Sequence, residues 1–412
     1  MKILVLNSGS SSQKSSLYEL GDLPPVDPPP ALWQGSIEWG PGTAKAKIRT
    51  AGGFQQEANV QVRSRREAIK YLLTTLWHGE GRELASPSEI DVVGHRVVHG
   101  GPNYETPVLI SPDVKKSIEQ VSVFAPLHNR AELEGMNIVE QLLGPVPQVA
   151  VFDTGFHARM PVAAATYGGP YEWLERGIRR YGFHGINHEY CAERSAKLLG
   201  KNLARLRIVS CHLGNGCSLA AIRGGNSIDT TMGFTPLDGL VMGTRSGSVD
   251  PGILTFLMRN DYVNGEELDS LLNRKSGLLG MSGVSSDMRD ILSAKREGNH
   301  RAKLAFDVYI HRLRSSIGSM VAALGGLDVL VFTAGVGENS AEVREAACSG
   351  FEFLGLRIDP GKNSQPARDQ DIAAEGSAVR VLVVRAQEDW AIARACWSLA
   401  KDLASPAEQK AS

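Results

Sequence analysis

Two turns rich in glycine and small polar residues each lie between strand-like runs, about half a chain apart. They are Asn7-Ser8-Gly9-Ser10-Ser11-Ser12 and His212-Leu213-Gly214-Asn215-Gly216-Cys217-Ser218. Hydroxyls, backbone N–H groups and, beside the first turn, the ammonium of Lys14 are the groups a polyphosphate and its metal ion need. Either turn alone is equally well an ordinary hairpin. The repetition points to two related domains presenting donors to one phosphate chain. A third segment, Ala334-Gly335-Val336-Gly337-Glu338-Asn339, follows a strand-like run and opens a helix, where close backbone approach and a helix N-terminus favour anions. It lacks the third glycine of a dinucleotide fingerprint. A Walker A loop and the protein-kinase triplets are absent from the sequence.

Charged residues sit in unusual surroundings. Arg96 lies within Val92-Val93-Gly94-His95-Arg96-Val97-Val98, and Arg245 within Met242-Gly243-Thr244-Arg245-Ser246-Gly247. A guanidinium among glycine and valine suits capture of carboxylate or phosphate oxygens, with a buried Arg–Asp structural pair as the alternative. Asp153 ends a strand-like run, where ligands collect in α/β folds. Glu388 follows another such run and could reach Mg²⁺, although an acid at a helix start is favoured by the macrodipole alone. His184 and His128 are candidate anion contacts, and equally candidate core histidines. No H-E-x-x-H spacing suggests zinc.

These residues need a scaffold. The chain has 412 residues, 42% of them apolar, which predicts two domains with sizeable cores. A formal net charge of −1 gives no general attraction to nucleic acid or membrane. Cysteines 191, 211, 217, 348 and 396 form no C-x-x-C pair, which fits reduced thiols in a cytoplasmic protein. No signal peptide or transmembrane run is expected. Strands are expected over residues 2–6, 15–20, 31–38, 91–101, 148–152, 207–213, 219–223, 327–333 and 379–384. Helices are expected over 66–78 and from 388 onward, with a proline-rich loop at 24–30 and a polar tail over 403–412. Mixed strands and helices give an α/β class.

Taken in order, the motifs resemble the acetate kinase family over nearly the whole chain. The resemblance runs through Asn7 to Ser12, Gly94-His95-Arg96-Val97-Val98-His99-Gly100-Gly101, Ala125-Pro126-Leu127-His128-Asn129, Val151-Phe152-Asp153-Thr154 and Tyr181-Gly182-Phe183-His184-Gly185. It continues through His212-Leu213-Gly214-Asn215-Gly216, Asp229-Thr230-Thr231-Met232-Gly233-Phe234-Thr235-Pro236-Leu237, Met242 to Gly247 and Phe332 to Asn339. It implies two ribonuclease-H-like domains of the actin, sugar-kinase and heat-shock ATPase fold, with the nucleotide in the cleft between them. The domains would be residues 1–153 with 386–412, and residues 154–385, the last helix returning to the first domain.

The resemblance also implies roles. Asn7 and Glu388 would bind Mg²⁺, with Mn²⁺ an alternative. Lys14, His212, Leu213, Gly214, Asn215, Gly216, Asp287, Met288, Arg289, Gly335, Val336, Gly337, Glu338 and Asn339 would bind ATP. Arg96 would hold the acyl carboxylate, Asp153 would be the catalytic acid, and His184 and Arg245 would steady the transition state. Val98, Leu127, Phe183 and Pro236 match a small apolar pocket for the acetate methyl. The partners would be acetate, ATP and ADP, and the assembly a homodimer.

The implied reaction is reversible transfer of the γ-phosphoryl group to acetate. Acetate is ionised at neutral pH and needs no general base, so Asp153 is expected to position Mg²⁺ or its waters. Departures from the family pattern occur at Ser248, Ile186-Asn187, Ala386-Gln387, Arg130, Gln13 and Ser15. Propionate kinase is the near alternative; Val98, rather than a smaller residue, favours acetate. A sugar kinase would need a polar pocket, and a non-catalytic actin-like ATPase would leave Arg96 and Arg245 without a purpose.

Overall fold

A run of four apolar residues, Ile3, Leu4, Val5 and Leu6, suits a strand covered on both faces. All four are buried in the computed structural model of the chain. The structure describes residues 1–8, 12–39, 42–124, 128–260, 262–365 and 369–404. The chain divides into two units, residues 1–155 with 387–412 and residues 156–386.

The first unit holds strands β1 (Lys2–Ser8), β2 (Ser12–Glu19), β3 (Trp33–Trp39), β4 (Thr43–Thr50), β5 (Gln55–Gln61), β6 (Val92–Val97), β7 (Val108–Leu109) and β8 (Gln148–Phe152). Their order in one sheet is β5-β4-β3-β2-β1-β6-β8-β7. The second unit holds β9 (Arg207–Leu213), β10 (Cys217–Arg223), β11 (Asn226–Thr230), β12 (Val329–Thr333), β13 (Gln370–Asp371) and β14 (Arg380–Val383), in the order β11-β10-β9-β12-β14-β13.

The class is α/β, and the two sheets share a five-strand plan. In the first, β3-β2-β1 is an antiparallel meander whose last member pairs in parallel with β6, and β6 with β8. In the second, β11-β10-β9 is the meander, and β12 and β14 continue in parallel. The two glycine turns therefore occupy the same place in each plan, between its first two strands. Residues 9–11 of the first turn lie outside the described residues, as do 405–412 of the expected polar tail.

Three expectations need correction. Strands β4 and β5 were not expected, because lysine, glutamate and glutamine fill their outward positions. Only the strict alternation of β4, with Ala44, Ala46 and Ile48 buried, betrays it. The strand expected over 91–101 ends at Val97, since a glycine turn follows. The glycine-bearing segment at 334–339 is itself a short helix, Ala334–Asn339, rather than a loop before one.

The final helix, Glu388–Ala404, packs on β1 and β6. Gly94 permits this. A Cβ there would lie 2.6 Å from Cys396 Sγ and 2.7 Å from Ile392 Cγ2. Both neighbours are fully buried, so neither can move aside cheaply. Gly94→Ala is therefore expected to destabilise the first unit by about 1–3 kcal/mol. Denaturant unfolding followed by tryptophan fluorescence, which reports on buried Trp33 and Trp390, measures it; an unchanged midpoint contradicts the packing account.

Candidate active site

In the first unit, parallel strands β1, β6 and β8 end side by side and set the positions of Asn7, Arg96 and Asp153. The Asp153 N–H donates to Val97 O at 2.8 Å, which fixes the turn after β8. Arg96 grips the Asp153 carboxylate with two donors: Nε to Oδ1 at 3.2 Å and Nη2 to Oδ2. Its Nη1 lies 3.5 Å from Asn7 Oδ1. A guanidinium has five N–H groups, and Asp153 takes one edge. The end formed by Nη1 and the second Nη2 hydrogen is left for another carboxylate.

Charge accumulates around this pair. Burial lowers the Arg96 pKa, but Asp153, Glu388 and Glu132 outweigh that and hold it firmly protonated. The Glu388 carboxyl is pushed up by burial and by Asp153 and Asp389, against the pull of Arg96 and Lys14. Lys14 sits opposite Asn7 in the β1–β2 pairing. Asp389 accepts from Ser16 Oγ at 2.6 Å. Four carboxyl groups, one of them the buried Glu132, thus surround two cations. Together with the hard amide oxygen of Asn7, this suits a divalent cation with oxygen ligands. Among the described residues no group of three or more His, Cys, Asp or Glu could hold a metal ion. A metal here would take one or two protein oxygens, with phosphate and water completing its shell.

The second unit builds a different half of the chemistry. The helix Gly185–Leu199 starts at His184, whose φ of 59° is left-handed. Among the described residues the only other positive-φ residue besides glycines is Ala334, at 64°. Both flank the turn between β9 and β10. A Cβ built on Gly214 would lie 3.8 Å from Ala334 Cβ. One built on Gly216 would lie 3.7 Å from both His184 Nε2 and Arg245 Nη1. Backbone strain concentrated at one place is a mark of function. The His184 and His212 rings stack with centroids 3.9 Å apart.

Arg245 has no carboxylate partner among the described residues. Its Nη1 reaches only Pro236 O at 3.4 Å and Met242 Sδ at 3.9 Å. Burial lowers its pKa, with Cys217 the opposing influence. A half-buried guanidinium without a carboxylate partner has donors to offer an anionic oxygen.

Beside this turn lies a cavity of about 610 Å³, within the usual range for a small-molecule site. Of the expected nucleotide residues, Gly214, Asn215, Asp287, Met288, Arg289, Gly335, Val336 and Asn339 line it. His212, Leu213, Gly216, Gly337 and Glu338 do not. The Glu338 carboxylate instead accepts the Ala386 N–H at 2.8 Å, and Gly337 packs under the backbone of Phe332.

Of the expected acyl-pocket residues, Val98 is buried in the first unit, and Phe183 is buried in the second, where Pro236 is partly exposed. Leu127 lies outside the described residues.

Several residues near these groups were not anticipated. Tyr309, Ser286, Leu278, Leu292 and Ser340 complete the cavity. Glu132 is buried beneath Val98, whose N–H donates to its Oε2 at 3.1 Å, while Oε1 has no partner. An acid within the apolar face Ala131, Gly135, Met136 and Val139 was the available signal. Asn187, one of the departures from the family pattern, donates from Nδ2 to His212 Nδ1 at 2.9 Å. Ser248, noted as a lost acid, donates to Asp238 and so ties its own loop.

Comparison with known proteins bears on this arrangement. The model of the acetokinase family matches residues 2–394. An acetate kinase of Gloeobacter violaceus is 60% identical over 401 residues, covering 96% of this chain and 99% of that protein. One of Trichormus variabilis is 58% identical over 402 residues, covering 97% and 99%. Among solved structures, Porphyromonas gingivalis acetate kinase superposes with a TM-score of 0.89 at 40% identity, covering 97% of this chain and 99% of that one. A propionate kinase from Francisella tularensis gives 0.87 at 37%, covering 96% and 99%.

Glu132 gives a pH signature. Burial raises its pKa from 4.5 to about 8. Between those values the unfolded chain releases this proton and the folded chain keeps it, so stability falls as pH rises. The slope from this group is about 1.4 kcal/mol per pH unit. Glu132→Gln is expected to remove that component, and to stabilise the protein more at pH 7 than at pH 5. Paired urea titrations at the two pH values measure it; equal increments at both contradict a protonated Glu132.

Proposed function

The chain belongs to the acetokinase family, and from that membership and the geometry above we infer that it transfers the γ-phosphoryl group of ATP to acetate, reversibly, giving acetyl phosphate and ADP. The observation that carries this is the pairing of Arg245 Nη1 and His184 Nε2 above Gly216, with no acid to neutralise the guanidinium. Such donors have no use for a neutral substrate. They suit the equatorial oxygens of a phosphoryl group in transit, where transfer depends on positioning and positive charge.

The cavity lined by Gly214, Asp287 and Gly335 receives the nucleotide, with Lys14 drawn to its phosphates. The open end of Arg96 receives the acetate carboxylate, and the apolar side chains expected to limit the acyl chain are Val98 of the first unit and Phe183 and Pro236 of the second. One methylene in an apolar pocket is worth about 1–3 kcal/mol, so acetate is preferred over propionate by roughly 10–200-fold. Asn7 and Glu388 would hold Mg²⁺, which would supply charge neutralisation at the phosphates. Asp153 has both oxygens committed to Arg96. It orients that guanidinium and would order the waters of a bound Mg²⁺, and no proton transfer is asked of it, because the acceptor is already an anion.

The protein works as a homodimer. The helix Pro251–Arg259 buries no residue, yet carries Ile253, Phe256 and Met258, all about half exposed, with Tyr262 beyond it. An apolar patch of this kind on a water-facing helix marks an interface, and a symmetric pair covers it on both copies. The five free, buried cysteines support a reducing, cytoplasmic setting. No described helix is long and apolar enough to cross a membrane.

Acyl phosphate trapped with hydroxylamine measures the activity, with acetate, propionate, butyrate and glycerol as parallel acceptors. Acetate is expected to give the highest kcat/KM, and Arg245→Ala to lower kcat about 10²–10³-fold. Phosphorylation of glycerol alone, or full activity without the guanidinium, overturns the assignment. Phe256→Glu is expected to give monomers in sedimentation velocity; a dimer that survives it places the interface elsewhere.

A further inference from the structure

A line of buried side chains leads away from His184. His184 Nδ1 lies 2.9 Å from Ser218 Oγ. The same oxygen lies 2.8 Å from His188 Nε2, and His188 Nδ1 lies 2.9 Å from Ser210 Oγ. Ser218, His188 and Ser210 are fully buried. His188 is one helical turn beyond His184, and Ser210 and Ser218 come from neighbouring strands β9 and β10. None of the three touches the nucleotide cavity.

We propose that Ser218 and His188 are positioning residues that hold His184 in the tautomer carrying its proton on Nε2, so that a neutral imidazole donates to the transferring phosphoryl group.

The proton count supports one direction along the line. An anionic oxygen held by Arg245 Nη1 beside His184 Nε2 needs a donor from both. A neutral His184 that donates from Nε2 has a bare Nδ1, which must accept. Ser218 has a single hydroxyl proton and gives it to Nδ1. Ser218 Oγ then accepts from His188 Nε2–H, and the bare His188 Nδ1 accepts from the Ser210 hydroxyl. Every proton along the line is donated, and both ring nitrogens of His188 are used. Neutrality of His188 follows from its surroundings: burial, with His157 and His212 nearby, lowers its pKa well below the usual value. The left-handed backbone of His184 adds the reason a tether is needed, since a strained residue at a helix start keeps its rotamer only when its neighbours over-determine it.

The inference rests on the phosphoryl-transfer assignment, and its test separates the two. In wild-type protein with ¹⁵N-labelled histidine and bound Mg–ADP, the His184 ring is expected to show a protonated Nε2 and a bare Nδ1. A neutral ring protonated at Nδ1 overturns the proposal whatever the enzyme's activity. In an acetate-dependent assay on active wild-type enzyme, Ser218→Ala is expected to lower kcat about 10–100-fold, the range for partners that orient a functional histidine. The KM values for ATP and acetate should stay within about twofold, and Ser218→Thr should restore most of kcat. An unchanged kcat in folded Ser218→Ala, checked by circular dichroism and ADP affinity, also overturns it. If that variant does not fold, the wild-type ring spectrum decides alone.

Discussion

The grip of Arg96 on Asp153 organises the first unit. The pair joins the ends of adjacent parallel strands, and its members lie nearly out of water. A buried pair gains little net stability over an apolar one of the same shape, because both charges give up hydration. Its value is therefore geometric. With one edge of the guanidinium committed, the other edge points in a fixed direction, and Asn7 sits beside it. Asp153 and Glu388 keep Arg96 charged. A carboxylate substrate can then be received by a donor that has already been desolvated and aimed.

The second unit solves the opposite problem. Arg245 has been given no partner, and the cost of leaving it so is met by the fold around it. Two non-glycine residues are held in left-handed backbone at one turn, each against a glycine that leaves room for it. The shared five-strand plan explains why the turn lies there: the hairpin after the first strand is where backbone N–H groups turn toward the ends of the parallel strands. One plan, used twice, carries an electrostatically saturated site in one copy and an unsatisfied one in the other.

Much of this was legible in the sequence, for a physical reason. Glycine in a turn, arginine among glycines and valines, and an acid at a strand end are local signals, and Gly216, Arg96, Arg245 and Asp153 were singled out by them. Strands β4 and β5 escaped because their outward positions are solvated and only alternation marks them. Glu132 and Ser218 escaped for a different reason. An acid in an apolar helix face, or a serine in a buried strand, acquires meaning only from its partner across the fold, and no spacing along the chain encodes that partner.

The departures from the family pattern can be weighed by the same standard. Asn187 replaces a hydroxyl, yet its amide donates to His212 Nδ1 and lies 3.4 Å from Thr333 Oγ1. It thereby fixes the ring on which His184 stacks, which a hydroxyl could do with only one donor. Ser248 replaces a carboxylate, but accepts from the Gly239 N–H at 2.9 Å and holds Asp238, which in turn lies 3.3 Å from Arg180. Gln13 closes the stem of the first turn through Ser8 and Ser15. Each of these residues is tied by hydrogen bonds of its own, and none of these bonds reaches Arg96, Arg245 or Glu388. What the site requires is charge at fixed places and in fixed directions, and the hydrogen bonds of Asn187, Ser248 and Gln13 leave that charge untouched.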